Sequence, residues 1–61
     1  MNLVKASRTY LKMSQKDVAK QAGITQAALS QMEKADNNKH RTATLEKLAN
    51  AMGVSVDQLK D

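Results

Sequence analysis

Cysteine, proline, tryptophan and phenylalanine are absent from this 61-residue chain, and glycine occurs only at Gly23 and Gly53. Without cysteine there is no disulfide framework and no thiolate metal site, and a reducing compartment, the cytoplasm, is the expected location. One histidine, His40, and one aromatic residue, Tyr10, leave little material for nucleophilic, metal or redox chemistry, and no glycine-rich phosphate loop occurs. The expectation is therefore no enzyme, no catalytic residues, no metal and no cofactor. No apolar run approaches the length of a bilayer span, and the N-terminus lacks the apolar stretch of a signal peptide, so no membrane partner is expected. Acids are scarce as well: 6 Asp and Glu stand against 10 Lys and Arg, for a net charge of +4. That balance favours a polyanionic partner or a negatively charged surface. The length allows one domain, residues 1–61, near the lower limit at which a single core offsets the chain entropy lost on folding.

What is present is helical patterning. Apolar residues recur at three- and four-residue spacings throughout, which predicts an all-α chain. One local pattern appears at Met13-Ser14 with Val18, at Ile24-Thr25 with Leu29, and at Val54-Ser55 with Leu59. In each, a Ser or Thr caps the free N–H groups of a helix start, and the apolar residue before it packs on the one a turn inside. Asp17 and Gln58 complete capping boxes with Ser14 and Ser55. The pattern predicts helices from about Leu3 to Lys12, Gln15 to Gln21, Gln26 to Lys34, about Ala43 to Met52, and a short fifth from Val56. Between the third and fourth, "ADNNKHRT", Ala35 to Thr42, reads as a solvated loop. Only Ala22, Gly23 and Ile24 separate the second helix from the Thr25 cap of the third. Gly23 can take the positive φ that ends a helix, and two short helices joined this way form a helix-turn-helix. The same spacing also suits an ordinary αα-hairpin in a small bundle. The inward positions predict a core of Val4, Leu11, Val18, Ala19, Ala22, Ile24, Leu29, Met32, Leu45, Leu48, Met52, Val54 and Leu59.

On a helical wheel the third helix buries Ala28, Leu29 and Met32 and turns Gln26, Ala27, Ser30, Gln31 and Lys34 outward. An outward face of amides and small side chains does little for solubility. It suits the DNA major groove, where Gln bonds adenine N6 and N7 and Ala meets a thymine methyl. Gln, Ala and Ser are also acceptable on any helix surface. Around this face, Lys16 and the loop residues Lys39, His40 and Arg41 could reach phosphates, as could Lys34, and Gln15 can hydrogen-bond there at the start of the second helix. His40 has no second ligand at metal-binding spacing.

With these residues in view, Met13 to Met32 resembles the helix-turn-helix of the phage repressor and Cro type, also called the xenobiotic response element family. The matching pattern is Ser14-Gln15, Asp17-Val18-Ala19, Ala22-Gly23-Ile24-Thr25-Gln26 and Leu29-Ser30-Gln31-Met32-Glu33, and "TLEKLANAMGVSVDQL", Thr44 to Leu59, is similar to the family's fourth and fifth helices. The resemblance implies a compact five-helix, lambda-repressor-like fold. It also implies a regulator of transcription that puts its third helix in the major groove, usually as a dimer on a palindromic site. It further implies that Gln15 contacts phosphate and braces Gln26, that Gln26 and Gln31 read bases, and that Arg8 pairs with Glu33. Ala27 stands where relatives often carry a longer polar residue, and Lys34-Ala35 stands where they commonly have Asn-Gly. The expected function is a sequence-specific double-stranded DNA-binding regulator, a repressor, with base readers Gln26, Ala27, Ser30 and Gln31, and a weak homodimer formed around Val56 to Leu59. The alternative is an antitoxin-like module whose partner is a protein such as a toxin.

Overall fold

The computed structural model describes residues 2–34 and 41–60. Its elements are α1 (Leu3–Tyr10), α2 (Gln15–Ala22), α3 (Gln26–Lys34), α4 (Thr42–Met52) and a closing 3-10 turn (Val56–Leu59). No strand occurs among the described residues, so the fold is all-α. The expected fifth helix is the exception. Between the Ser55–Gln58 capping box and the extended Lys60 there is room for only one turn. It closes with short-range bonds, Gln58 N–H to Ser55 O and Lys60 N–H to Asp57 O.

Three junctions of one construction set the path of the chain. After α2, the Gly23 N–H donates to Lys20 O and the Ile24 N–H to Ala19 O; after α4, Gly53 and Val54 repeat this with Asn50 O and Ala49 O. These are Schellman caps, with the glycines at φ 75° and 72°. α1 ends the same way, Lys12 N–H to Thr9 O and Met13 N–H to Arg8 O, but the left-handed residue is Lys12, at φ 58°. The first helix therefore stops at Tyr10, short of the expected Lys12. The residue after each left-handed position, Met13, Ile24 or Val54, packs against the core and is followed at once by Ser14, Thr25 or Ser55. The Ser14 hydroxyl accepts from the Asp17 N–H and the Thr25 hydroxyl from the Ala28 N–H, each at 3.0 Å. One apolar side chain thus seals the end of one helix and the start of the next.

Lys12 is the one non-glycine residue at positive φ among those described. A side chain there costs about 1–2 kcal/mol, partly offset because glycine loses more backbone freedom on folding. Lys12→Gly is expected to raise stability by about 0.5–1 kcal/mol, read as an upward shift of the denaturant midpoint. No gain would mean that the strain at Lys12 is relieved by contacts of its side chain.

The core draws Val4 from α1, Val18 and Ala19 from α2, Leu29 from α3, Leu45, Leu48, Ala49 and Met52 from α4, and Leu59 from the closing turn. Ala22, Ile24, Met32 and Val54 are half-buried against it. Two positions differ from the sequence pattern. Leu11 is 38% exposed, because the helix that would have turned it inward has already ended and it serves as the C-cap of α1. Ala49 is buried beside Leu45 and Leu48; a small side chain gives little pattern signal, yet it lets a helix approach its neighbours.

Candidate nucleic-acid interface

α2 and α3 meet at the corner made by Gly23, Ile24 and Thr25. A Cβ built on Gly23 would find nothing within 4 Å, so glycine is required there by its backbone angle and not by crowding. Beyond the corner, α3 has a buried side centred on Leu29 and an exposed side opposite it, with Gln26 exposed in its first turn. Leu29 and Glu33 are buried and Met32 is half-buried, while Gln26, Ala27, Gln31 and Lys34 are exposed. Ala27, Gln31 and Lys34 follow one another at four and three residues and form a single stripe opposite Leu29. Ser30, expected to face fully outward, is half-buried at the edge of this stripe.

The inward end of α3 carries a polar node. Arg8 Nε lies 2.6 Å from Glu33 Oε2 and Arg8 Nη2 lies 3.0 Å from Oε1, a two-point fork between α1 and α3. Arg8 Nη1 also donates to Met13 O at 2.8 Å. The Glu33 side chain is 3% exposed and that of Arg8 14%. Burial by itself would push the Glu33 carboxyl up, but hydrogen bonds from Arg8 and Gln15 and the positive charges of Arg8 and Lys5 outweigh it and hold the group below its ordinary value. The hydrogen bond to Glu33 correspondingly raises Arg8 against an opposing burial effect.

Gln15 is the site residue placed least as expected. It is half-buried, and its Nε2 donates to Glu33 Oε1 at 2.9 Å, a partner that neither the phosphate contact nor the brace to Gln26 anticipates. Asn2 is a residue to which the sequence pattern assigns no role. Its Oδ1 accepts from the Lys5 N–H at 2.9 Å and its Nδ2 donates to Met32 O at 2.7 Å, capping α1 and tying it to the last turn of α3. A signal for the cap exists, since Asn just before an apolar helical run is a favoured N-cap; the tie to Met32 leaves no local trace.

Among the cations, Lys16 is exposed in the first turn of α2, Lys34 on the α3 stripe, and Arg41 at the N-cap of α4, with no side-chain capping bond of its own. Lys39 and His40, named with Arg41 as phosphate contacts, lie outside the described residues, as does most of the loop that begins at Ala35. No helix among the described residues is long and apolar enough to cross a membrane.

Two short helices around a left-handed glycine, the second exposing Gln26, Ala27, Gln31 and Lys34, form a helix-turn-helix. A family model described as Helix-turn-helix matches residues 4–59. The chain belongs to that family, in its phage repressor and Cro branch. Among curated proteins and among solved structures, nothing matches it.

Proposed function

We propose that this protein is a sequence-specific transcriptional regulator, a repressor, that inserts α3 into the major groove of a palindromic operator and acts in the cytoplasm without enzymatic activity. The exposed stripe of Ala27, Gln31 and Lys34 opposite the buried Leu29, with Gln26 exposed in the first turn of the same helix, carries this reading. Gln26 and Gln31 read base edges, Ala27 and Ser30 allow close approach, and Lys16, Lys34 and Arg41, with Lys39 and His40, hold the phosphates. The protein binds as a weak homodimer, its half-sites about 34 Å apart. Leu59 cannot supply that contact because it is fully buried; half-buried Val56 and the neighbouring Val54 are the apolar side chains available at this end.

Selection of bound sites from a random DNA pool tests the reading, and a recovered palindrome would report specificity and symmetry together. On the selected site, Gln26→Ala should cost about 1–3 kcal/mol and relax the preference at one position per half-site. Arg41→Ala should weaken all sequences alike and lower the salt slope by about one. If Arg41→Ala changed the preferred sequence while Gln26→Ala weakened every DNA equally, α3 would not be the reading element.

One observation favours a second reading. Tyr10 is 85% exposed, and with Leu11, Ala6 and Val54 it lines an apolar groove of about 470 Å³. In an antitoxin-like module this groove would seat a protein partner such as a toxin, and absence of DNA binding even at low salt would favour that role.

A further inference from the structure

The two ends of α3 are held by different means. Its first turn follows directly on the corner at Gly23 to Thr25, and the Thr25 hydroxyl caps it. Its last turn is gripped from α1 at two points about 9 Å apart along that helix: Arg8 forks Glu33, and Asn2 Nδ2 donates to Met32 O at 2.7 Å. Arg8 and Gln15 reach α3 only through the rotatable side chain of Glu33, whereas Asn2 holds the main chain itself. We propose that Asn2 is a positioning residue for the C-terminal end of the reading helix: through the Met32 carbonyl it sets where Gln31 and Lys34 stand against DNA. This rests on the DNA-binding reading and gives that surface a supporting residue from outside the helix-turn-helix.

One planar amide serves both helices. Its oxygen only accepts and its nitrogen only donates, so the Lys5 N–H and the Met32 carbonyl together fix which way the group faces. The cap that starts α1 and the tie that holds α3 therefore form one unit. A carbonyl in a last helical turn points toward the helix end, where a donor from outside can meet it. Gln31 precedes Met32 and Lys34 follows it by two, and both are exposed, so a shift of this carbonyl moves both side chains. Gln26 lies about 9 Å back along the axis, beside the corner. Loss of the tie thus has a direction: the C-terminal end of α3 loosens while its N-terminal end keeps its place. A general loss of folding would treat the two glutamines alike.

The test is Asn2→Ser, which keeps an N-cap acceptor for α1 but has no amide to reach Met32 O, made in the unmodified chain and in Gln31→Ala. Affinity is measured on the selected DNA site and on sites changed at the bases read by Gln26 and by Gln31, with helix content followed by circular dichroism. In the unmodified chain, Asn2→Ser should weaken binding about five-fold, the worth of one neutral hydrogen bond. It should relax the preference at the Gln31 base and leave that at the Gln26 base intact. In Gln31→Ala the same change should cost about two-fold or less. Should Asn2→Ser lose helix content, Asn2→Asp takes its place: an ionised Asp caps as well, and its carboxylate repels the Met32 carbonyl, so the same pattern should appear more strongly. Equal loss of preference at both bases, equal weakening in both backgrounds, or unchanged affinity would overturn the proposal and leave Asn2 as a cap of α1. An unmodified chain that bound no DNA would overturn it together with the reading beneath it, an outcome visible without any variant.

Discussion

Truncating Leu48 to alanine is expected to lower the free energy of unfolding by about 2–5 kcal/mol, the cost of a deleted buried side chain and the cavity it leaves. Leu48 is fully buried in α4, among Leu45, Ala49 and Met52 of the same helix and Val18, Leu29 and Leu59 from the other elements. A chain of this size has about 3–9 kcal/mol of stability in total, so the loss would leave a large unfolded fraction at ambient temperature. Leu11→Ala is the matched control. That side chain is exposed at the end of α1, and its removal should change stability by about 0.5 kcal/mol or less. Both are read from denaturant unfolding followed by helical circular dichroism. Comparable losses at the two positions would contradict the assigned end of α1 and the membership of the core.

Removing either partner of the Arg8–Glu33 pair is the second large effect. Sheltered ion pairs typically cost about 3–5 kcal/mol when one member is lost, because the survivor is left desolvated and uncompensated. The partial exposure of Arg8 puts Arg8→Met near the lower end, about 3 kcal/mol. Glu33→Met should be at least as costly, since it strips the acceptor from both Arg8 and Gln15. The double replacement should cost less than the sum of the two, and an additive cycle would reduce them to two independent surface charges. A pH dependence accompanies this. Glu33 is held below its ordinary value in the folded state, so the folded protein keeps its charge at acidities where the unfolded chain has taken up a proton. Its contribution is complete above the ordinary glutamate value of about 4.3 and is lost as pH falls through the lower folded value. Acid unfolding of the unmodified protein should therefore be steeper below that pH than in Arg8→Met/Glu33→Met.

The local features of this fold are legible in the amino-acid order because they involve hydrogen bonds and contacts within a few residues. Ser14, Thr25 and Ser55 mark helix starts whose donors lie three positions on. Gly23 and Gly53 mark helix ends because glycine takes positive φ freely, and the bounds of α3, Gln26 to Lys34, follow from its cap and its periodicity. The Arg8–Glu33 pairing is implied by the family resemblance alone, since nothing in the spacing of residues 25 apart announces a contact. Lys12 shows where local patterning fails: lysine has no preference for the left-handed region, so periodicity runs on past the true end of α1 and turns Leu11 toward the core. The partners of Gln15 and Asn2 are decided only by tertiary structure. An amide in a first helical turn can serve phosphate, a neighbouring glutamine or a carboxylate equally well. It turns to Glu33 because the packed helices bring a buried, already forked carboxylate within reach, and leaving a sheltered acceptor short of a donor costs more than any exposed contact would return.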